Sequence, residues 1–179
     1  TIKIIQSLDK KKYRQKYKGA DDIPVNAHPG IRSVPACYAS SELAVRLARI
    51  AGARLHILHV STAKELQLFS DEPLEDKNIT SEACVAHLLF TLAHYNSLGA
   101  RVKCNPAVKR KTDREALRAA VNSGLIDVIA TDHAPHLLSE KEGGALKAMS
   151  GMPMIQFSLV SMLGLVDEGV FSLETVVQK

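Results

Sequence analysis

The chain has 179 residues, 46% of them hydrophobic, with a formal net charge of +4 and a pI near 9.0. That is enough chain and enough apolar content for one domain with a real core, which argues against a disordered or fibrous protein. No apolar run approaches the length that spans a bilayer and no cleavable leader opens the chain, so neither a membrane partner nor export is expected.

Lys3, Lys10, Lys11, Lys12, Arg14, Lys16 and Lys18 supply most of the excess charge. Ile2, Ile5, Leu8, Tyr13 and Tyr17 recur among them at helical spacing. Thr1 to Lys18 is therefore expected to form an amphipathic helix stopped by Gly19, with the lysines as its solvated face. A nucleic-acid surface would need more aromatic interleaving than Tyr13 and Tyr17 provide, and no nucleic-acid partner is expected. Cys37, Cys84 and Cys104 are odd in number and widely spaced, which suggests neither a disulfide framework nor a zinc-thiolate site and fits a reducing, cytoplasmic setting. Thr1 is not a native start, so a fragment or a processed piece is expected.

Asp21 to Pro35 reads as a loop around Asn26-Ala27-His28-Pro29-Gly30-Ile31-Arg32. From Ala36 to Gly52 the helical period returns, with Leu43, Val45, Leu47, Ala48 and Ile50 for burial and Glu42, Arg46 and Arg49 for water. Arg54 to Val60 predicts a strand, and Thr62 with Glu65 has capping-box spacing, so a helix is expected to follow at once. His56 and His59 would fall on opposite faces of that strand; His59, on the side of Leu55 and Ile57 and nearest the carboxyl end, is the candidate for the rim.

Asp71 to Asn78 is a polar surface connection, and Ile79 to Phe90 begins as a strand and ends as an apolar turn carrying Glu82 and His87. Arg101 to Pro106 closes on Asn105-Pro106, a turn that would hold the Asn105 amide in a loop. Thr112 and Glu115 repeat the capping-box spacing, and Leu117, Ala120 and Val121 make the buried side of a helix leading through Gly124. Beyond His136, Gly143 and Gly144 border a charged loop that suits a mobile flap or a backbone approaching a ligand. Helices are expected from about Ile155 to Gly164 and again from Ser172. Strands alternating with helices, without a hairpin signal, predict an α/β domain with a parallel sheet.

The most informative stretch is Asp127-Val128-Ile129-Ala130-Thr131-Asp132-His133-Ala134-Pro135-His136. A short apolar strand delivers a carboxylate and two imidazoles to its carboxyl end, where parallel α/β sheets gather their chemistry, and Pro135 stops regular structure. A carboxylate directly after apolar residues is costly unless paired or metal-bound, and His59 ends a separate strand. Alone, a strand histidine is more often a packed residue than a ligand. Together the two groups make a zinc site conceivable, since zinc accepts imidazole nitrogen and carboxylate oxygen, yet they are too few to hold it.

Four motifs in order, Leu55-His56-Ile57-Leu58-His59-Val60-Ser61-Thr62, Lys103-Cys104-Asn105-Pro106, Asp113-Arg114-Glu115-Ala116-Leu117 and Ile129-Ala130-Thr131-Asp132-His133-Ala134-Pro135-His136, resemble the dihydroorotases of bacterial type within the amidohydrolase superfamily. The resemblance runs from Arg54 to Pro153. It implies an α/β fold that is the later part of a (β/α)8 barrel of TIM type, with 1–179 as one partial barrel domain. It also implies His59 as a zinc ligand, Asp132 as ligand of the other zinc and general base and acid, Asn105 and His136 as substrate contacts, and backbone at Ser150 and Gly151 closing over the substrate. The family's His-x-His-x-Arg, its bridging carboxylated lysine or aspartate and its next metal histidine have no counterpart here, which would place the remaining ligands of the two zinc ions, and the arginine for the substrate carboxylate, upstream of Thr1. The chain departs from the family at Ala107-Val108-Lys109, where Pro-Leu-Arg is usual, and at Ala86-His87, where two histidines are usual. His87 with Glu82 is expected to be structural rather than an accessory ion site.

What the resemblance implies chemically is reversible hydrolysis of the cyclic amide of dihydroorotate to N-carbamoyl-L-aspartate in pyrimidine synthesis, by an intact cytoplasmic homo-oligomer of which this partial chain alone is inactive. The competing expectations are a sister hydantoinase or allantoinase, a non-catalytic dihydroorotase-like structural partner, and an unrelated metal-free α/β binding protein.

Overall fold

The computed structural model describes residues 2–179; Thr1, with which the expected first helix begins, lies outside the described residues, as do the side chains of residues 2–4. Helix α1 spans Ile2–Lys16, and Leu8, expected on its buried stripe, is 61% exposed. Tyr13 and Tyr17 instead pack beside a small cluster of Ile23, Ala27, Ile31 and Ala145. The expected loop over Asp21–Pro35 contains a 3-10 turn at Val25–Ala27 and a short helix α2 (His28–Ile31). Helix α3 (Val34–Ala51) begins earlier than expected, because Pro35 sits in its first turn, where a missing N–H costs nothing. It closes on Gly52, whose φ of 61° is the left-handed cap that glycine supplies.

The buried stripe of α3 is Ala36, Ser41, Val45 and Ala48, whereas Leu47 and Ile50, expected inside, are 53% and 74% exposed. A buried polar pair turns the helix this way: Ser41 Oγ donates to Glu65 Oε1 at 2.6 Å. The helix expected after Thr62 is only a 3-10 turn at Glu65–Leu68. The cap itself forms, with Glu65 N donating to Thr62 Oγ1 at 3.2 Å, but the Glu65 carboxylate is fully engaged by Ser41, Ser61 N and Thr62 Oγ1 and ties the turn down rather than starting a helix.

Three parallel strands lie side by side in the order β1 (Leu55–Ile57), β2 (Ile79–Cys84), β3 (Val128–Ala130), with Leu55 opposite Ile79 and Cys84 opposite Ala130. The expected parallel sheet is present. Strand β1 is shorter than Arg54–Val60 because the chain turns at His59, and only Val60 N continues the ladder, donating to Glu82 O at 2.8 Å. Two short helices, α4 (Val85–Leu89) and α5 (His94–Leu98), and α6 (Lys111–Asn122) connect β2 to β3. Helix α6 is capped by Asp113, not by Thr112 and Glu115: its carboxylate accepts Arg110 N at 3.2 Å and Ala63 N at 3.0 Å. Leu117, Ala120 and Val121 are buried as expected. Helix α7 (Ile155–Asp167) and helix α8 (Leu173–Gln178) finish the chain, the latter capped by Ser172 Oγ accepting Thr175 N at 3.1 Å.

The main core joins the sheet to α3, α4, α6 and α7 through Val45, Ile57, Ala83, Leu88, Leu117 and Leu165. At the strand starts Lys77 and Asp127 form an ion pair at 2.7 Å, their side chains 1% and 3% exposed, with Gly124 O and Ser81 N completing their hydrogen bonds. Asp127 is thereby a structural residue. No helix among the described residues is long and apolar enough to cross a membrane.

Candidate functional site

Parallel strands deliver their carboxyl ends to one rim, and the chain leaves β1 and β3 there by the same kind of turn. His59 follows β1 with φ 42° and Asp132 follows β3 with φ 45°, a backbone region that residues other than glycine rarely enter. The two residues flank the end of β2. Asp132 is exposed and His59 half-buried. Cys84, the last residue of β2, sits close to both carboxylates of the rim: burial, then the charges of Asp132 and Glu82, push its thiol far above the ordinary range.

Glu82 organises the β1 side. Its Oε1 accepts the His59 backbone N–H at 3.2 Å, and its Oε2 lies 3.2 Å from His56 Nε2, while His56 Nδ1 lies 2.8 Å from Thr80 Oγ1. His56, Thr80 and Glu82 thus share the face of the sheet turned away from Ile57, Ser81 and Ala83. The strand period separates His56 from Ile57 as expected, but it does not place His59, which lies beyond β1 in a turn of its own. Glu82 pairs with His56 rather than with His87.

His87 is buried beneath the rim, its Nε2 donating to Pro106 O at 2.9 Å and its Nδ1 without a partner. Burial first, then the nearby Lys109 and His59, bring its pKa down to about 4, so it is a neutral packing residue near pH 7. Cys104 is pushed up to about 12 by burial. Lys109, where the resemblance leads to an arginine, is buried with Nζ donating to Ala107 O at 2.8 Å.

Asn105 is exposed where two clefts meet. One, of about 430 Å³, also takes in His56, His59, Cys37 and Glu65; the other, of about 640 Å³, is lined by Arg32, Lys103, Lys147, His28 and Ser150. Asp132 and His136 lie outside both. His136 is joined to the second cleft through its Nε2, 3.2 Å from Ser150 O. Gly151 sits where no side chain fits: at φ 150°, a Cβ would lie 2.5 Å from Ala134 O and 2.7 Å from Ala134 Cβ. His59 thus shares one cleft with Asn105, Asn105 shares the other with Ser150, and His136 reaches Ser150, while Asp132 stands past the end of β3 outside both clefts.

An imidazole and a carboxylate at neighbouring strand ends suit a divalent metal as a donor set, but they are a partial set. Among the described residues no three His, Cys, Asp or Glu side chains are arranged to hold an ion. Sequence reasoning set His56 aside in favour of His59 and gave Asp22, Lys141 and Glu82 no part at the rim; His56, Glu82 and Asp22 act through partners more than twenty residues away, and no local pattern announces such a pairing.

Comparison with known proteins points to one group. The dihydroorotase of Aquifex aeolicus is 39% identical over 132 residues, 74% of this chain and 31% of that protein, and the dihydroorotase of Deinococcus radiodurans is 35% identical over 137 residues, 75% and 33%. The chain spans about a third of the length of the curated relatives it matches. Among solved structures, the L-hydantoinase (dihydropyrimidinase) of Arthrobacter aurescens superposes with a TM-score of 0.81 at 27% identity, covering 99% of this chain and 38% of that one. The dihydroorotase of Saccharomyces cerevisiae, solved with 5-fluoroorotic acid, gives 0.67 at 18%, covering 77% and 39%, and adds to the fold alone. No family model matches. The three strands and their helices are the later part of a (β/α)8 barrel.

Proposed function

Since the chain belongs to the dihydroorotase family of amidohydrolases, we propose that the protein it is part of hydrolyses the cyclic amide of dihydroorotate to N-carbamoyl-L-aspartate, reversibly, with 1–179 contributing one rim of a single barrel domain. The observation that carries this reading is the delivery of His59 and Asp132 to the same rim, on matching turns either side of β2.

In this reading His59 and Asp132 are ligands of two zinc ions whose other ligands lie outside 1–179. Zinc held there would supply Lewis acidity and a water of pKa lowered to roughly 7. Asp132 takes the proton of the attacking water as its oxygen bonds to the amide carbonyl carbon; when the C–N bond breaks, Asp132 returns that proton to the departing ring nitrogen. Asn105 and His136 hold the substrate, and the Ser150–Gly151 backbone lies against it, a place that suits glycine because Ala134 leaves no room for a side chain. A cytoplasmic setting belongs to the same proposal and is supported by three unpaired cysteines. So does a homo-oligomer, supported by the exposed apolar side of α7.

The L-hydantoinase likeness over nearly the whole chain favours a second reading, hydrolysis of a hydantoin ring. Turnover of the intact protein with dihydroorotate, carbamoyl-aspartate and hydantoins decides between them. Dihydroorotate turnover that survives Asp132→Ala would remove Asp132 from the chemistry, and turnover of hydantoins alone would replace the first reading by the second.

A further inference from the structure

The segment 137–151, which ends in the proposed substrate-facing backbone, is fastened at two places by charged groups that the hydrolytic chemistry does not use. Upstream, both carboxylate oxygens of Asp22 accept backbone N–H groups of this segment: Gly144 at 2.7 Å, Leu146 at 3.1 Å and Lys147 at 3.2 Å. The contact is a close one. Ala145 N donates to Ile23 O at 2.7 Å, and a Cβ on Gly144 would run into Ile23 O and lie 3.0 Å from Asp22 Cγ. Ala145 is buried beside Ile23, Ala27 and Ile31, so an apolar contact backs the polar one.

Nearer the rim, Lys141 places its ammonium among three backbone carbonyls: Lys103 O at 2.9 Å, Met149 O at 2.9 Å and Gly151 O at 2.7 Å. Three donors meet three acceptors. Two of those carbonyls bracket Ser150, whose own carbonyl faces His136, and Gly151 N donates to the same Lys103 O at 2.9 Å.

We propose that Asp22 and Lys141 are positioning residues, a carboxylate and an ammonium that together set where the Ser150–Gly151 backbone stands relative to substrate. The proposal rests on the reading that puts Ser150 and Gly151 against substrate. Neither group touches substrate; each acts through the backbone it holds. The direction of the Asp22 shift agrees: partial burial alone would raise its pKa, but the N–H groups of Gly144, Ile23, Leu146 and Lys147 outweigh burial and hold the carboxyl below the usual range.

The test uses the intact protein with Asp22→Asn, Lys141→Met and Lys141→Arg, reading backbone hydrogen exchange without substrate and steady-state kinetics with it. Losing contacts of this kind is expected to speed exchange at Gly144, Leu146 and Gly151 about tenfold while amides of β2 and α6 keep their rates. KM is expected to rise about tenfold with kcat within about twofold, because backbone placement serves ground and transition states alike. Arginine at 141 should restore part of the KM. Exchange unchanged at 143–151, faster exchange throughout the protein, or a fall in kcat with KM unmoved would each overturn the proposal. Failure of the wild-type protein to turn over any cyclic amide would instead sink the functional reading and leave the exchange result standing.

Discussion

His59 and Asp132 have the same backbone twist: φ is 42° at one and 45° at the other, and each lies two residues past the end of its strand, β1 or β3. A left-handed residue there swings the chain off the sheet sharply, leaving the side chain at the rim. Such a conformation costs a side chain of ordinary chemistry about 1–2 kcal/mol, which glycine does not incur.

The pair of variants Asp132→Gly and Asp132→Ala separates that cost from function. Both should lose turnover, by about 10²–10⁴ if proton transfer is the contribution removed. Asp132→Gly should be more stable than Asp132→Ala by about 1 kcal/mol. Chemical denaturation of the intact protein measures the difference, and equal stabilities would show that the turn at 132 is not strained.

Lys77 and Asp127 make the opposite kind of site, buried charge with no access to solvent. Lys77→Met leaves the Asp127 carboxylate with Ser81 N as its remaining partner and should cost about 3–5 kcal/mol. The double variant with Asp127→Asn should cost clearly less than the two single losses added together. Additive losses in urea unfolding would mean that the two charges do not act as a pair.

His28 gives the fold a pH dependence. Burial first, opposed by the Cys104 carbonyl and joined by the charges of Lys103, Arg32 and Lys109, brings its pKa from the ordinary 6.5 down to about 4. The folded protein then binds fewer protons than the unfolded chain between those values, so this contribution to stability is complete above pH 6.5 and is lost as pH falls toward 4. The slope should approach about 1.4 kcal/mol per pH unit in the middle of that window. His28→Asn should flatten it; a thermal midpoint with the same acid slope in that variant would assign the slope elsewhere. Asp22, with its depressed pKa, acts only at lower pH.

Helix α7 shows Ile155, Phe157, Leu159 and Val160 at 50% to 71% exposure, and β1 has no strand on its outer side among the described residues. Apolar side chains and an unpaired strand edge together favour association. The 179-residue chain by itself should elute from size exclusion well above its 19.5 kDa. A monodisperse monomer that melts cooperatively would contradict this.

The sequence showed its elements better than their partners. The Leu117–Ala120–Val121 stripe and the helix starting at Ser172 were legible because each rests on neighbours within a few residues, and the parallel sheet because strands alternate with helices along the chain, although its paired residues lie 24 and 46 positions apart. The Thr62–Glu65 spacing misled because the Glu65 carboxylate is claimed by Ser41 on another helix. Strand period also failed at His59, since alternation ends with β1 and the residue beyond it follows the turn. Asp22 was read only as part of a loop: what distinguishes it is a partner 122 residues away, at Gly144.

The cluster of Ile23, Ala27, Ile31 and Ala145 is separate from the core that holds the sheet. A small apolar contact costs far less to part than a whole fold costs to unfold. The 143–147 turn is thus seated apart from the packing that keeps β1, β2 and β3 together, and the spacing of His59 and Asp132 at the strand ends is set without it.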